Sequence, residues 1–148
     1  YARSLAIQEE LGNKHGMGNT LNNIGIVHYN RAEYDKAVEP LEKSLVILKE
    51  IGFKRLELET TTYLYLCYRH LDKDYDKQHL HSLIKDAENI EFEVNFRLYQ
   101  LLDDTLYLET AYNQVQETAS EMEEETGKIF LGYPLPTEIV GEWEKHSD

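Results

Sequence analysis

Cysteine is nearly missing. Cys67 stands alone in 148 residues, so no disulfide can close within the chain, and a single thiol fits a reducing compartment, with the cytoplasm as the expected location. No apolar run approaches the roughly eighteen residues of a membrane span, no basic-then-apolar leader opens the chain, and no Asn-x-Ser/Thr acceptor occurs, so a soluble chain with no membrane partner is expected. Positive charge is also short. Fifteen Lys and Arg face 28 Asp and Glu, a net charge of −13, which repels polyanions and argues against nucleic acid as a partner. Residues 101–148 carry twelve of the acids and two of the bases, so −10 of the total lies there. The length suits a single domain with a sizeable core.

What the chain does have is a repeat. Ser4, Leu5, Ile7, Glu10, Leu11, Gly12 and Lys14 return forty residues later as Ser44, Leu45, Ile47, Glu50, Ile51, Gly52 and Lys54, six identities and one Leu/Ile exchange at a fixed offset. Between the copies, Tyr34, Ala37, Val38, Leu41, Leu45 and Leu48 recur every three or four residues, the stripe of an amphipathic helix. Before them Leu21, Ile24, Val27 and His28 share a side of a second helix, with Gly25 where another helix could approach closely. Arg31, Ala32 and Glu33 form the turn between the two. Each repeat is therefore a helix pair.

Leu21, Ile24-Gly25, His28, Ala37 and Leu41 match the spacing W-x₂-L-G-x₂-Y…A-x₃-F, and on these residues the chain resembles the tetratricopeptide-repeat family. Later copies keep the spacing but not the glycine: Thr61, Leu64-Tyr65 and Tyr68 precede Tyr75, and Leu98-Tyr99 and Leu102 precede Ala111 and Val115. The forty-residue period is similar to the long repeats of kinesin light chain and bacterial signalling proteins. Phe130-Leu131, Pro134, Ile139-Val140 and Glu142-Trp143 resemble the segment after the last repeat in such proteins, where arrays adjoin cyclase or ATPase domains.

The resemblance implies an all-α fold, an α-solenoid of antiparallel helix pairs with a C-terminal capping helix. The expected divisions are a second helix of a truncated repeat over 1–14, repeats over 15–54 and 55–91, a degenerate repeat over 92–126 and a cap over 127–148. Helices are expected at about 1–12, 16–30 with 34–51, 55–70 with 75–90, and 92–103 with 107–126, then a short one started by Pro136 and the N-cap Thr137. Pro40 predicts a bend or a late start in the helix from Tyr34. Phe130, Leu131, Ile139, Val140 and Trp143 would cover an apolar end. At the other end, Tyr1 and Leu5 correspond to Leu41 and Leu45 without a helix to pack on, so self-association through that face is expected.

No motif carries chemistry, and no enzyme activity, cofactor or metal is expected. Asp72, Asp74 and Asp76 imitate a calcium loop, but Lys77 and Leu83 stand where Gly and Glu are needed. His70, His79 and His81 invite zinc, yet residues two apart on a helix face different ways. Gly12, Gly16 and Gly18 lack the Lys-Ser/Thr of a phosphate loop and read as joint and helix-end glycines. Glu121, Glu123, Glu124 and Glu125 are placed at the end of the last long helix, where the backbone dipole favours positive charge, as a solvated face or a contact for a basic partner.

By the resemblance, first helices of successive pairs line a concave groove that holds an extended peptide or partner domain, and an Asn before the Leu-Gly pair grips its backbone. Asn23, before Ile24-Gly25, is the matching residue. Helical spacing adds Asn19, Asn22, Ile26, Tyr29 and Asn30; the second pair offers Glu59, Thr62, Tyr63, Leu66 and Arg69, and the third Glu93, Arg97 and Gln100. Asn22 stands where a carboxylate-clamping Lys would be wanted, which disfavours binding of chain termini. The function expected is a protein-interaction scaffold; the alternative is a regulatory or oligomerisation segment of a larger signalling protein without a free peptide ligand.

Overall fold

The computed structural model describes residues 2–146, with side chains from residue 10 onward. Among the described residues every regular element is helical: α1 (Ala2–Asn30), α2 (Tyr34–Ile51), α3 (Lys54–His70), α4 (Lys77–Asp86), α5 (Phe92–Leu102), α6 (Thr105–Ser120), α7 (Glu124–Leu131) and α8 (Pro134–His146). None of them is long and apolar enough to cross a membrane. The chain, expected as one domain, forms two compact units that meet in sequence at Glu88 and Asn89.

In the first unit, α1 and α2 pair antiparallel because α1 presents bare backbone. A Cβ on Gly25 would overlap Leu41 Cγ and Cδ2, and one on Gly18 would lie 3.1 Å from Leu48 Cδ2. Ser44 Oγ donates to the Gly18 carbonyl at 2.7 Å, a bond that only this close approach permits. The expected stripe is the one buried: Ala37, Leu41, Leu45 and Leu48 form the inner face of α2. Pro40 does not delay α2, which runs unbroken from Tyr34; the proline simply leaves the Lys36 carbonyl without a helical amide partner.

The joints show how the repeat is written into the backbone. After α1, Ala32 is left-handed (φ 58°) and the Glu33 amide bonds the His28 carbonyl at 2.9 Å; forty residues on, Asp72 is left-handed (φ 57°) and the Lys73 amide bonds the Tyr68 carbonyl at 2.8 Å. After α2, Gly52 takes φ 73° and the Phe53 amide bonds the Leu48 carbonyl at 3.0 Å, a helix stop that glycine makes without strain. The corresponding joint at Gly12 is not made. Where two helices were expected over 1–12 and 16–30, α1 is continuous, since glycine permits a turn but does not compel one. Gly12, Gly16 and Gly18 lie within it, and no neighbour approaches the first two. Tyr1 and the side chain of Leu5, invoked for self-association, lie outside the described residues.

Beyond α3, Asp76 is the N-cap of α4 and accepts the His79 amide at 3.0 Å, so the calcium-like acids are turn and cap residues. The Tyr68 hydroxyl ties α3 back to α2 by donating to Glu42 Oε1 at 2.6 Å.

The second unit packs α5 on α6 and closes the pair with α7 and α8. Phe96, Leu108, Ala111, Val115 and Ile139 make its buried centre, with Phe130, Leu131, Val140 and Trp143 packed around them. The Trp143 ring stacks on Tyr112 with centroids 5.4 Å apart. These C-terminal residues thus cover the apolar face of α5 and α6. Two details differ from expectation. First, the helix expected to reach 126 ends at Ser120, and α7 begins after Glu123, where the Gly127 backbone sits so near Ala119 that a Cβ would lie 2.9 Å from its carbonyl. Glu124 and Glu125 therefore occupy a first turn, the end of a helix where the dipole favours acids. Second, α8 starts at Pro134 rather than at Pro136, because both prolines fit a first turn whose amides need no helical partner. Thr137 does not cap it; its amide bonds the Tyr133 carbonyl at 3.0 Å and its hydroxyl the Leu131 carbonyl at 2.9 Å.

The glycines give one test. Gly25→Ala should lower stability by about 2 kcal/mol, because overpacking against the branch atom of a buried leucine outweighs about 1 kcal/mol of helix propensity. Gly16→Ala, in open space, should raise it by up to about 1 kcal/mol. Urea unfolding followed at 222 nm checks both; a stabilised Gly25→Ala would refute the close-approach account. In the second unit, Ile139→Ala should cost about 3 kcal/mol by opening a cavity, read from the fluorescence of Trp143, the chain's only tryptophan. No shift in that transition would show that α8 does not hold the unit together.

Candidate protein-binding surface

Side-chain amides suit peptide recognition because each carries two donors and an acceptor, the complement of an extended backbone. On α1, Asn19, Asn23 and Asn30 are exposed and Ile26 is half-buried between them. Their spacing of four, three and four residues places all four on one helix face. The face is held in position by what lies one residue away. Asn22 is 1 % exposed and its Oδ1 accepts from Thr60 Oγ1 at 2.8 Å, tying α1 to α3. Asn22 is thus a core residue, not a groove residue. A buried amide needs its partners, and the Thr60 hydroxyl supplies one.

Three more residues expected in a groove lie inside the fold. Thr62, Tyr63 and Leu66 are buried on α3. The Thr62 hydroxyl turns back on its own helix to the Leu58 carbonyl at 2.7 Å, and the Tyr63 ring is covered by Tyr29, whose centroid is 5.1 Å away. The half-buried Tyr29 also meets Tyr34 edge-on at 5.6 Å, and Tyr34 stacks on His70 at 4.0 Å. These aromatic contacts close the end of the first unit near the α1–α2 turn. Of the second-pair residues, Arg69 is exposed and Glu59 half-buried.

In the second unit Glu93, Arg97 and Gln100 are half-buried on α5. Arg97 Nη1 donates to Gln100 Oε1 at 2.8 Å, and its guanidinium lies 5.6 Å from the centre of the Phe96 ring. Sequence reasoning did not find the cleft beside them. About 420 Å³ in volume, it is lined by Glu91, Phe92, Glu93, Gln114, Glu117 and Thr118. Its Gln114 is held by buried Asn95, which donates to the Ile90 carbonyl at 3.0 Å and to Gln114 Oε1 at 2.9 Å, while Gln114 Nε2 reaches the same carbonyl at 2.7 Å. Three carboxylates around an aromatic ring suit a cationic side chain with an apolar stem. A buried Asn on a helix was the available signal, but its partners are set by the α4–α5 connection, which no periodicity describes.

Two ionisable side chains on α3, Cys67 and Tyr68, are held toward their protonated forms. Burial pushes the Cys67 thiol up to about 12, far from the thiolate that nucleophilic chemistry needs. Burial, and then the bond to Glu42, raise the Tyr68 phenol above its ordinary value. Comparison of the chain with protein-family models, with curated proteins and with solved structures yields no match.

Adjacent asparagines should behave oppositely in stability measurements. Asn22→Ala should cost about 1–3 kcal/mol, because it leaves the buried Thr60 hydroxyl without its acceptor. Asn23→Ala, at the surface, should stay within about 0.5 kcal/mol of the parent. Equal losses at both positions, measured by urea titration, would contradict the assignment of one amide to the core and the other to the surface.

Proposed function

We propose that the chain is part of an α-solenoid of the tetratricopeptide type and acts as an interaction scaffold that holds an extended peptide segment of a protein partner along α1, with no chemistry of its own. The observation that carries this reading is the row of exposed amides Asn19, Asn23 and Asn30 with Ile26 among them on one helix face. Amides at that spacing offer hydrogen bonds to successive peptide groups, and the half-buried isoleucine offers an apolar contact between them. The antiparallel helix pair, the close approach at Gly25 and the backbone repeated at Ala32 and Asp72 support the family reading. Charge sets the preferred ligand. At −13 the chain favours a neutral or basic segment over an acidic one. A reducing, cytoplasmic setting is part of the same reading.

Selection from a displayed library of unstructured peptides, followed by calorimetry on the selected sequence, tests it. Two neutral hydrogen bonds of about 1 kcal/mol each predict a loss of tenfold or more in affinity for Asn23→Ala. Glu109→Ala, exposed on α6, should bind as the parent does. Selected peptides that bind Asn23→Ala and Asn19→Ala with undiminished affinity would remove this face from the function.

A further inference from the structure

The repeat makes a position-by-position comparison possible between α1 and α3, and one face of the two helices disagrees. Met17, Thr20, Ile24 and Val27 lie at steps of three, four and three, a single stripe. All four are exposed, Met17, Ile24 and Val27 at 56 %, 43 % and 48 %. Forty residues on stand Glu57, Thr60, Leu64 and Cys67, all buried, none above 3 %. On α3, Thr60 meets Asn22 of α1 and Glu57 faces His79 of α4, while α2, folded back at Gly52, runs beside the helix and is tied to it by Glu42 and Tyr68. The repeat-equivalent of that α2 segment is present in this chain: Ser4, Leu5, Ile7, Glu10, Leu11 and Gly12 match Ser44, Leu45, Ile47, Glu50, Ile51 and Gly52. It continues straight into α1, through a glycine that no neighbour approaches.

We propose that Gly12 is a hinge at which residues 2–11 fold back as a separate helix onto the Met17–Thr20–Ile24–Val27 stripe, making the interface that α2 makes with α3, one repeat earlier. The occupant of the stripe is thus the chain's own N-terminal segment. The geometry of the turn is already present at Gly52, left-handed with the Phe53 amide on the Leu48 carbonyl. Glycine is the residue that enters that conformation without strain, and Gly12 supplies it at the matching place. The other joints obey the same offset, since Ala32 and Asp72 share a left-handed backbone. The fold-back continues an interface the protein already uses. The amide row borders this stripe, since Asn23 lies three residues from Thr20 and four from Val27, and Asn30 three from Val27.

The two arrangements differ in one distance. In continuous α1, residues 2 and 30 are about 42 Å apart along the axis. Folded back, they stand where Glu42 and His70 stand, on neighbouring helices about 10 Å apart, and nitroxides attached there fall within about 20 Å. Spin labels on Ala2→Cys and Asn30→Cys read this by pulsed electron resonance in the full chain; Cys67, buried with its thiol held protonated, takes no label at neutral pH. The expected result is a short-distance population in the parent that falls roughly tenfold relative to the long one in Gly12→Ala, since an L side chain resists the left-handed turn. A single distance near 42 Å in the parent overturns the hinge. So does a short population that Gly12→Ala leaves unchanged. A short distance that vanishes when labelled chains are diluted with unlabelled ones assigns the stripe to a second copy and overturns the fold-back.

Discussion

The first unit depends on how closely two helices can approach. Leucines at 41 and 48 on α2 project into positions on α1 where Gly25 and Gly18 carry no side chain, and the distance between the helices is set by that contact. Everything else in the unit is placed from it. The Ser44 hydroxyl reaches the Gly18 carbonyl at this separation, so a buried polar side chain sits in the interface with its donor used. With α1 fixed against α2, Asn22 is turned inward to Thr60 and Asn23 outward to solvent. A wedge at Gly25 would therefore disturb more than one contact. It would move the helix that presents the amide row relative to the helix that orients it.

The second unit has no such glycine between its first two helices and solves the same problem by other means. Phe96 fills the space between α5 and α6, and the exposed side of that pair is covered by α7 and α8. A tight corner is still needed. It comes at Gly127, whose missing Cβ lets α7 pass the Ala119 carbonyl. Here buried polar groups form a connected set: Asn95, Gln114 and the Ile90 carbonyl share three hydrogen bonds and fasten the connection before α5 to both helices. In both units a buried asparagine joins elements that apolar packing alone would leave free to slide.

Helix content and the inner face of α2 were legible because their signals are local. Ala37, Leu41, Leu45 and Leu48 recur at helical spacing with nothing competing, and each is buried. The role of Gly25 was legible for the same reason. What periodicity could not show was α3, where Leu58 and the whole run from Thr60 to Cys67 are buried. A helix covered on nearly every side has no polar face to define its orientation, so Thr62, Tyr63 and Leu66 could not be separated from surface residues by spacing. The acidic run at 121–125 failed differently. Acids read as helix-ending when one long helix is assumed and as helix-starting once α7 exists, and composition does not decide between the two. Pro134 could have corrected the start of α8, since proline is favoured at the first helical position. Asn23 is exposed while Asn22 bonds Thr60 of α3, a difference of one residue that only the helix's rotation fixes.

The contrast between α1 and α3 bears on what a repeat can and cannot specify. Burial at a repeat position is decided by which neighbours are present, while the residue found there reflects the neighbours the position is built to meet. On the buried α3 stripe the residues are Glu57, Thr60, Leu64 and Cys67; on the exposed α1 stripe they are Met17, Thr20, Ile24 and Val27. The more apolar set is the one facing water. Hydrophobic partitioning runs the other way, because covering a large aliphatic side chain is favourable by about 1.5–3 kcal/mol, whereas burying a carboxylate such as Glu57 costs free energy, offset only in part by Lys54 Nζ at 3.7 Å. A continuous α1 leaves three large apolar side chains in solvent and keeps two glycines inside a helix where nothing requires them. Folding back at Gly12 covers the apolar side chains and takes Gly12, though not Gly16, out of a helix interior. Apolar residues in the exposed copy, a glycine at the matching joint and a duplicated partner sequence next to it all favour the folded-back arrangement.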